Sequence, residues 1–269
     1  MGKATHVRHG RSTRQAMLSQ VFLINKNIAR KEAMFAKGKR VIELGTGKGI
    51  LTEELSKVAS SVLSIEIDRE LSARASLAKN RPNLKIINAD FFDTEISRYD
   101  FDIFVSNIPY SLSKEIILWL SKSRMPALLC VQKEFAEKLT AEPGTPKYTS
   151  ISAISNLSFS VRKVMAVPRQ MFRPVPKVDS ILIYLEPRED APSQEILAIV
   201  ALLMAHRKNL LKKAVYYVAK QHTRNPHSAK AIQSKMNIAD ARVFDLTLEQ
   251  ISATATKLHV LFLQSSHKE

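Results

Sequence analysis

A chain of 269 residues with 45% hydrophobic side chains is long enough for one large or two modest domains with a sizeable core, which excludes a fibrous or wholly disordered protein. A single cysteine, Cys130, excludes an internal disulfide framework, and no apolar stretch reaches the ~18 residues of a membrane helix, so a cytoplasmic protein without membrane attachment is expected. The net charge of +16 favours a polyanionic partner over a small neutral substrate, and because residues 1–190 carry 30 basic and 20 acidic side chains and residues 191–269 carry 11 and 5, that partner is expected to run across both parts.

The chain begins with Lys3, Arg8, Arg11 and Arg14 and no acid within residues 1–16, which reads as a disordered basic arm or, equally, a solvated tail without a role. From Lys39 to Val131 short β runs alternate with helical patterns: strands at Arg40–Leu44, Ser61–Ile67, Leu84–Ile87, Phe101–Ser106 and Ala127–Val131, helices at Gly49–Val58, Arg69–Lys79 and Ser113–Lys122. Such alternation predicts βαβ units and a mostly parallel sheet. Cys130 falls in its apolar last run and reads as a buried thiol.

Between the first strand and helix lies Glu43-Leu44-Gly45-Thr46-Gly47-Lys48-Gly49. Glycines here let a ligand approach the backbone closely. The third glycine comes one residue too early for the dinucleotide fingerprint, and Gly47-Lys48 lacks the Ser/Thr of a phosphate loop, so the loop points to a nucleoside without a pyrophosphate, such as S-adenosylmethionine. Glu43 would accept from the amino-acid end of that molecule. Glu66, nineteen residues after Gly47, would accept from its ribose hydroxyls, and Asp90 from its adenine amine with Phe91 beside the ring. Each carboxylate alone reads sooner as a surface charge at a strand end; their recurrence at three successive strand ends favours a pocket.

Asn107-Ile108-Pro109-Tyr110 follows the Phe101–Ser106 strand. The tetrapeptide by itself is also an ordinary strand-ending turn. At the carboxyl end of a strand in an α/β sheet, where ligands bind, it suits methylation of an exocyclic amine. Such a nitrogen is a poor nucleophile because its lone pair is delocalised. The Asn107 amide oxygen and the carbonyl of Ile108 or Pro109 would hold the amino hydrogens, and Tyr110 would offer a stacking face. Seven scattered histidines form no ligand-spaced cluster, so no metal is expected, and methyl transfer from a sulfonium needs none.

Beyond Val131 the pattern changes. Ser158–Ala166 and Ser180–Leu185 read as an antiparallel pair added to the sheet, separated by the proline-rich stretch Pro168–Pro176. Residues 186–192 form a polar, proline-bounded linker, and everything after Ser193 is helical in character. If Leu202–Lys220 is one helix, Lys208, Lys212, Lys213 and Lys220 share a flank opposite Leu203, Leu210, Leu211, Ala214 and Val218, while Arg207 points to the apolar side, where it would pair with an acid. The lysine flank suits phosphate binding, or simply faces water.

Taken together, the glycine loop, Glu66-Ile67-Asp68, Asn107-Ile108-Pro109-Tyr110, Gln132-Lys133-Glu134, Phe172-Arg173-Pro174-Val175-Pro176-Lys177-Val178-Asp179-Ser180 and His206-Arg207-Lys208, with Gln20-Val21-Phe22-Leu23 before them, resemble the KsgA-type family of small-subunit ribosomal RNA adenine N6,N6-dimethyltransferases. The resemblance covers nearly all of the chain after the arm, and the Phe172–Ser180 stretch is its most specific part. It implies an α/β, Rossmann-like S-adenosylmethionine-dependent methyltransferase sheet, residues 17–187, with a small C-terminal helical RNA-binding domain, residues 188–269. It also implies transfer of four methyl groups to two adjacent adenines near the 3′ end of small-subunit RNA, in the immature subunit, by a monomer. Phe172 would then supply a second aromatic face opposite Tyr110, and the backbone of Leu23 would line the cofactor pocket. Val21 stands where many relatives have Asn, and Thr149-Ser150 where they commonly have Gly-Arg. Three readings stay open: this activity, a related adenine methyltransferase acting on large-subunit RNA or DNA, and a weakly catalytic ribosome-assembly factor.

Overall fold

The computed structural model describes residues 21–78 and 81–266; the basic arm expected over residues 1–16 lies outside them. A seven-stranded sheet has the order β4-β3-β2-β5-β6-β9-β7, formed by Leu84–Asn88 (β4), Ser61–Glu66 (β3), Arg40–Leu44 (β2), Ile103–Ser106 (β5), Ala127–Gln132 (β6), Ser180–Pro187 (β9) and Phe159–Val167 (β7). Strands β4 to β6 are parallel, and β9 is antiparallel to β6, pairing Cys130 with Leu182. The two strands expected to extend the sheet do so.

The central strands β2, β5 and β6 are mainly apolar and buried at nearly every position, as a sheet covered on both faces requires, with Glu43 of β2 a buried acid among them. Each fully buried Val, Leu or Ile there contributes about 1.5–3 kcal/mol. The outer strands β4 and β7 are mostly half-buried or exposed. Helices Ile50–Val58 (α2), Arg69–Ala78 (α3) and Ser113–Ser123 (α4) connect the parallel strands.

Strand order reverses between β2 and β5. The loop after β2 and the turn after β5 therefore flank the crevice where ligands bind in such sheets. A hydrogen bond of 2.6 Å from Ser106 Oγ to the Leu44 carbonyl ties them together.

Helices over Lys133–Leu139 and Ser150–Ser158 were not expected, and neither were a short ribbon and a helix near the start of the described residues. A two-stranded antiparallel ribbon joins Phe22–Leu23 (β1) to Phe172–Arg173 (β8), pairing Leu23 with Phe172. Helix Lys26–Ala33 (α1) is capped by Asn25, whose Oδ1 accepts from the Asn27 and Ile28 amides at 3.0 and 3.1 Å.

The chain divides into two compact units. The first holds the residues of β1–β6, β8 and most of β9. The second takes in residues 117–124, 137–161 and 186–269, including Ser150–Ser158 (α6), Gln194–Ala205 (α7), Leu211–Thr223 (α8), Pro226–Ser234 (α9) and Leu248–Ser266 (α10), with Lys133–Leu139 (α5) crossing between the two sets of residues. Its own core includes Val200, Leu203, Leu211, Val218, Ile251 and Leu258.

Within this second unit the expected single helix over Leu202–Lys220 is broken. It ends at Ala205 and restarts at Leu211, because His206 and Asn209 close tight turns with their amides donating to Leu203 and His206. Leu210 consequently leaves the apolar flank and is 51% exposed. Lys208 sits in the connection, yet it remains exposed along with Lys212, Lys213 and Lys220 of α8. Arg207 pairs with no acid as expected; it donates to the Tyr148 carbonyl oxygen.

Candidate active site

Glycine geometry shapes the loop after β2. Gly45, Gly47 and Gly49 all have positive φ, at 81°, 52° and 76°. At Gly47 a Cβ would meet Phe22 Cδ1 at 3.0 Å, so any side chain there collides with the ribbon as well as straining the backbone. Glu66 Oε2 accepts from the Gly47 amide at 2.8 Å and its Oε1 from the Asp68 amide at 2.9 Å, which locks the loop to the end of β3.

A cleft enclosing about 740 Å³, partly open to solvent, runs along these strand ends, a size typical of small-molecule sites. Gly45, Gly47, Glu66, Asp90, Phe91, Asn107 and Pro109 line it. An adjoining cavity is lined by Leu23, Glu43, Gly45, Gly47 and Asn107, and a third, smaller one by Asn107, Pro109, Tyr110, Cys130 and Phe172. Every sheet residue singled out for the cofactor or for catalysis therefore lines at least one of three cavities. Val21 and Asn107 line all three.

The acids differ in how engaged they are. Asp90 Oδ1 accepts from the Phe92 amide at 2.9 Å. Glu43 is 1% exposed, and its Oε2 accepts from Thr52 Oγ1 at 2.7 Å and Ser64 Oγ at 2.6 Å. Burial pushes its carboxyl up to about 7, against those two hydrogen bonds, which pull it down. Phe91 is held edge-on between Phe92 and Phe104, with ring centroids 5.5 and 5.6 Å away.

Around the Asn107 turn, the Tyr110 hydroxyl shares a 2.8 Å hydrogen bond with Ser180 Oγ, fixing the ring at the end of β9. Phe172 is 3% exposed and reaches the same cavity through its ribbon pairing with Leu23. The Asn107 Oδ1 is buried and has no protein partner. A buried amide oxygen without a donor costs about 1–3 kcal/mol, so an acceptor held in this state suits a site that receives a ligand's N–H.

Two residues of the site escaped sequence reasoning. Phe22 lines the cleft, abuts Gly47 and lies under the Lys48 ammonium, 5.4 Å from its ring centre. The only signal was an aromatic residue upstream of a glycine loop. Glu32, on α1, is 1% exposed, and burial pushes its carboxyl up to about 8. It takes a hydrogen bond from the Asn107 side chain, which lowers it, while Glu43 raises it further.

These raised carboxyls set the pH dependence of folding. Below about 4.5 both states are protonated; as pH rises towards 7 and 8 the unfolded chain ionises while folded Glu43 and Glu32 still hold protons, so native stability falls. The thermal midpoint is expected to drop between pH 5 and pH 8.5, by an amount on the order of a few kcal/mol of stability. Replacing Glu32 with Gln should remove much of that slope, and calorimetric scans across the range would show it; an unchanged slope would rule out the Glu32 contribution.

The lining suits a nucleoside such as S-adenosylmethionine: a backbone cradle without a Cβ, an acid at the end of β3, and an acid followed by an aromatic ring after β4. Among the described residues no group of three or more His, Cys, Asp or Glu is arranged to hold a metal ion. The sheet with its glycine loop and strand-end acids defines a Rossmann-like S-adenosylmethionine-dependent methyltransferase. Solved structures agree: the dimethyladenosine transferase of Plasmodium falciparum superposes with a TM-score of 0.71 at 25% identity, covering 91% of this chain and 98% of that one. The 23S rRNA methyltransferase ErmE gives 0.62 at 26%, covering 88% and 99%.

In sequence, the family model described as ribosomal RNA adenine dimethylase matches residues 11–254. The probable ribosomal RNA small subunit methyltransferase A of Thermococcus gammatolerans is 32% identical over 91% of this chain and 88% of its own length. The ribosomal RNA small subunit methyltransferase A of Mycoplasma mobile is 31% identical over 90% and 94%. The chain belongs to the ribosomal RNA adenine dimethylase family.

Proposed function

We propose that this enzyme transfers four methyl groups from S-adenosylmethionine to the N6 atoms of two adjacent adenines near the 3′ end of small-subunit ribosomal RNA, in the immature subunit. The observation that carries the reading is the partnerless Oδ1 of Asn107, on a side chain lining both the large cleft and the small cavity of Tyr110 and Phe172. The names of the Thermococcus and Mycoplasma relatives support the small subunit as target.

S-adenosylmethionine supplies a methyl carbon on a cationic sulfur; the C–S bond breaks as the N–C bond forms, a neutral thioether leaves, and the resulting ammonium loses its proton to solvent. The chain's residues do the positioning. The Asn107 oxygen and the carbonyl of Ile108 or Pro109 accept the two amino hydrogens, drawing the nitrogen lone pair out of conjugation. Tyr110 and Phe172 stack on the flipped base, at ~1–3 kcal/mol per base, which offsets much of the unstacking cost. Glu66 accepts from the ribose, Asp90 and Phe91 recognise the cofactor adenine, and Glu43 and the backbone of Leu23 face its amino-acid end. The acceptors remain in place for a second transfer, since removal of one hydrogen still leaves one to be held.

RNA is held by charge in this reading. Residues 17–187 act as the catalytic domain and 188–269 as the RNA-binding domain, with Lys208, Lys212, Lys213 and Lys220 on phosphates. The enzyme works as a monomer in the cytoplasm where subunits mature; no helix of the described residues is long and apolar enough to cross a membrane. Replacing the four lysines with Gln should weaken subunit binding and flatten the plot of log affinity against log salt by about 3, at ~0.7–0.9 per phosphate contact. An unchanged slope in salt-dependent binding isotherms would remove these lysines from the interface.

Primer extension on ribosomal RNA from cells with and without the gene tests the target. Stops at two neighbouring adenines of the small subunit should vanish with the gene. Loss of a stop in large-subunit RNA instead would favour the related activity to which ErmE is a structural neighbour.

A further inference from the structure

An asparagine side chain can present either its oxygen or its amino group, and only one choice accepts from a substrate amine. What selects the choice lies under the turn. Glu32 is the fully enclosed acid of α1, among the buried neighbours Ile28, Ala29 and Ala33, and its carboxyl receives a hydrogen bond from the Asn107 side chain. One Glu32 oxygen, Oε1, and the Asn107 Oδ1 are both buried without protein partners. A leucine would satisfy the packing at this helix position without burying an orphan polar atom.

We infer that Glu32 is a positioning residue for methyl transfer: by accepting from the Asn107 amino group it holds that amide nitrogen-inward, leaving Oδ1 free to accept from the target amine. The inference rests on the proposed reaction at Asn107. It also gives the turn a titratable control. Ionised Glu32 can only accept, which enforces the productive orientation; protonated Glu32 can instead donate to Oδ1 and consume it.

Glu32's titratable neighbours are Glu43 on β2, whose carboxyl burial pushes up to about 7 so that it ionises before Glu32 and raises it further, and Cys130 on β6, whose thiol burial pushes up. Across α2 the charges are already paired, Arg30 with Glu54 at 3.6 Å and Lys57 with Glu54 at 2.6 Å. With its carboxyl pushed up to about 8, Glu32 changes charge within the working pH range.

The test is single-turnover methylation of immature small subunits with saturating S-adenosylmethionine, from pH 6 to 9, for the wild type, E32L and E32Q, with N107A as the inactive control. E32L is expected to melt higher than the wild type at pH 8.5 yet to transfer methyl about 10- to 100-fold more slowly, with S-adenosylmethionine affinity within about threefold. E32Q, whose amide oxygen can still accept from Asn107 but whose amino group can also donate to Oδ1, should recover part of that loss. It should also lack the wild-type rise in rate with pH. An E32L rate within about threefold of the wild type overturns the inference, as does E32Q keeping the wild-type pH limb or being as slow as E32L. Failure of the wild type itself to methylate these subunits would instead sink the reaction proposed for the site, a separately recognisable result.

Discussion

Asn107→Ala is expected to slow methyl transfer about 100- to 1000-fold, the scale seen when one preorganised hydrogen-bond partner of a reacting atom is removed. The substitution deletes the acceptor that localises the N6 lone pair while leaving the strand, the cleft floor and the stacking residues in place. Asn107 lines the cofactor cleft too, but the polar contacts expected to hold the nucleoside come from Glu66, Asp90 and the loop backbone. Affinity for S-adenosylmethionine should therefore change by less than about tenfold, because a single neutral hydrogen bond contributes only ~0.5–1.5 kcal/mol. Single-turnover rates on immature subunits together with calorimetry separate the two. A variant that dimethylates at near wild-type rate would show that the amine is activated elsewhere.

Glu66→Ala should have the largest effect on cofactor binding. Its carboxylate, proposed to accept from ribose hydroxyls, is bonded to the Gly47 and Asp68 amides, so the substitution removes the proposed ligand contact and unties the glycine loop together. Loss of charged hydrogen bonds of ~1.5–3 kcal/mol raises Kd by about 10- to 150-fold, more if two are lost. Much of the turnover should return at saturating cofactor, since the acceptors at Asn107 are untouched. A Kd within about threefold of the wild type would place the ribose away from β3.

How much of this was legible in the chain depends on which residues carried the pattern. Strands β2, β5 and β6 are short, mainly apolar runs, broken in β2 by Glu43, and runs of that kind between helical patterns suit buried parallel strands. Once those strands alternate with helices, the positions of Glu43, Glu66, Asp90 and Asn107 at their carboxyl ends follow from topology. Helix α1 was missed because its buried face, Ile28, Ala29, Glu32 and Ala33, contains a charged residue where an apolar one belongs. The same residue makes the helix functionally informative: it breaks the amphipathic rule at the point where it meets Asn107. The β1–β8 ribbon is two residues long on each side, too short for periodicity to register.

Farther along, the apolar spacing from Leu202 to Val218 continues through a break that it does not encode. The turns at His206 and Asn209 are fixed by contacts from a distant segment, including the Val243 amide donating to Asn209 and the Phe244 amide to Arg207. Local pattern carries no trace of such partners. The lysines stayed exposed regardless, because three of them, Lys212, Lys213 and Lys220, fall on one flank of α8 alone.

The most direct test is mass-spectrometric mapping of the nucleosides formed when the purified enzyme, S-adenosylmethionine and immature small subunits are combined. N6,N6-dimethyladenosine at two adjacent positions near the 3′ end of the small-subunit RNA, absent with the Asn107→Ala variant, is the result expected. Methyl groups on other atoms, on large-subunit RNA alone, or in equal amount with that variant would contradict it.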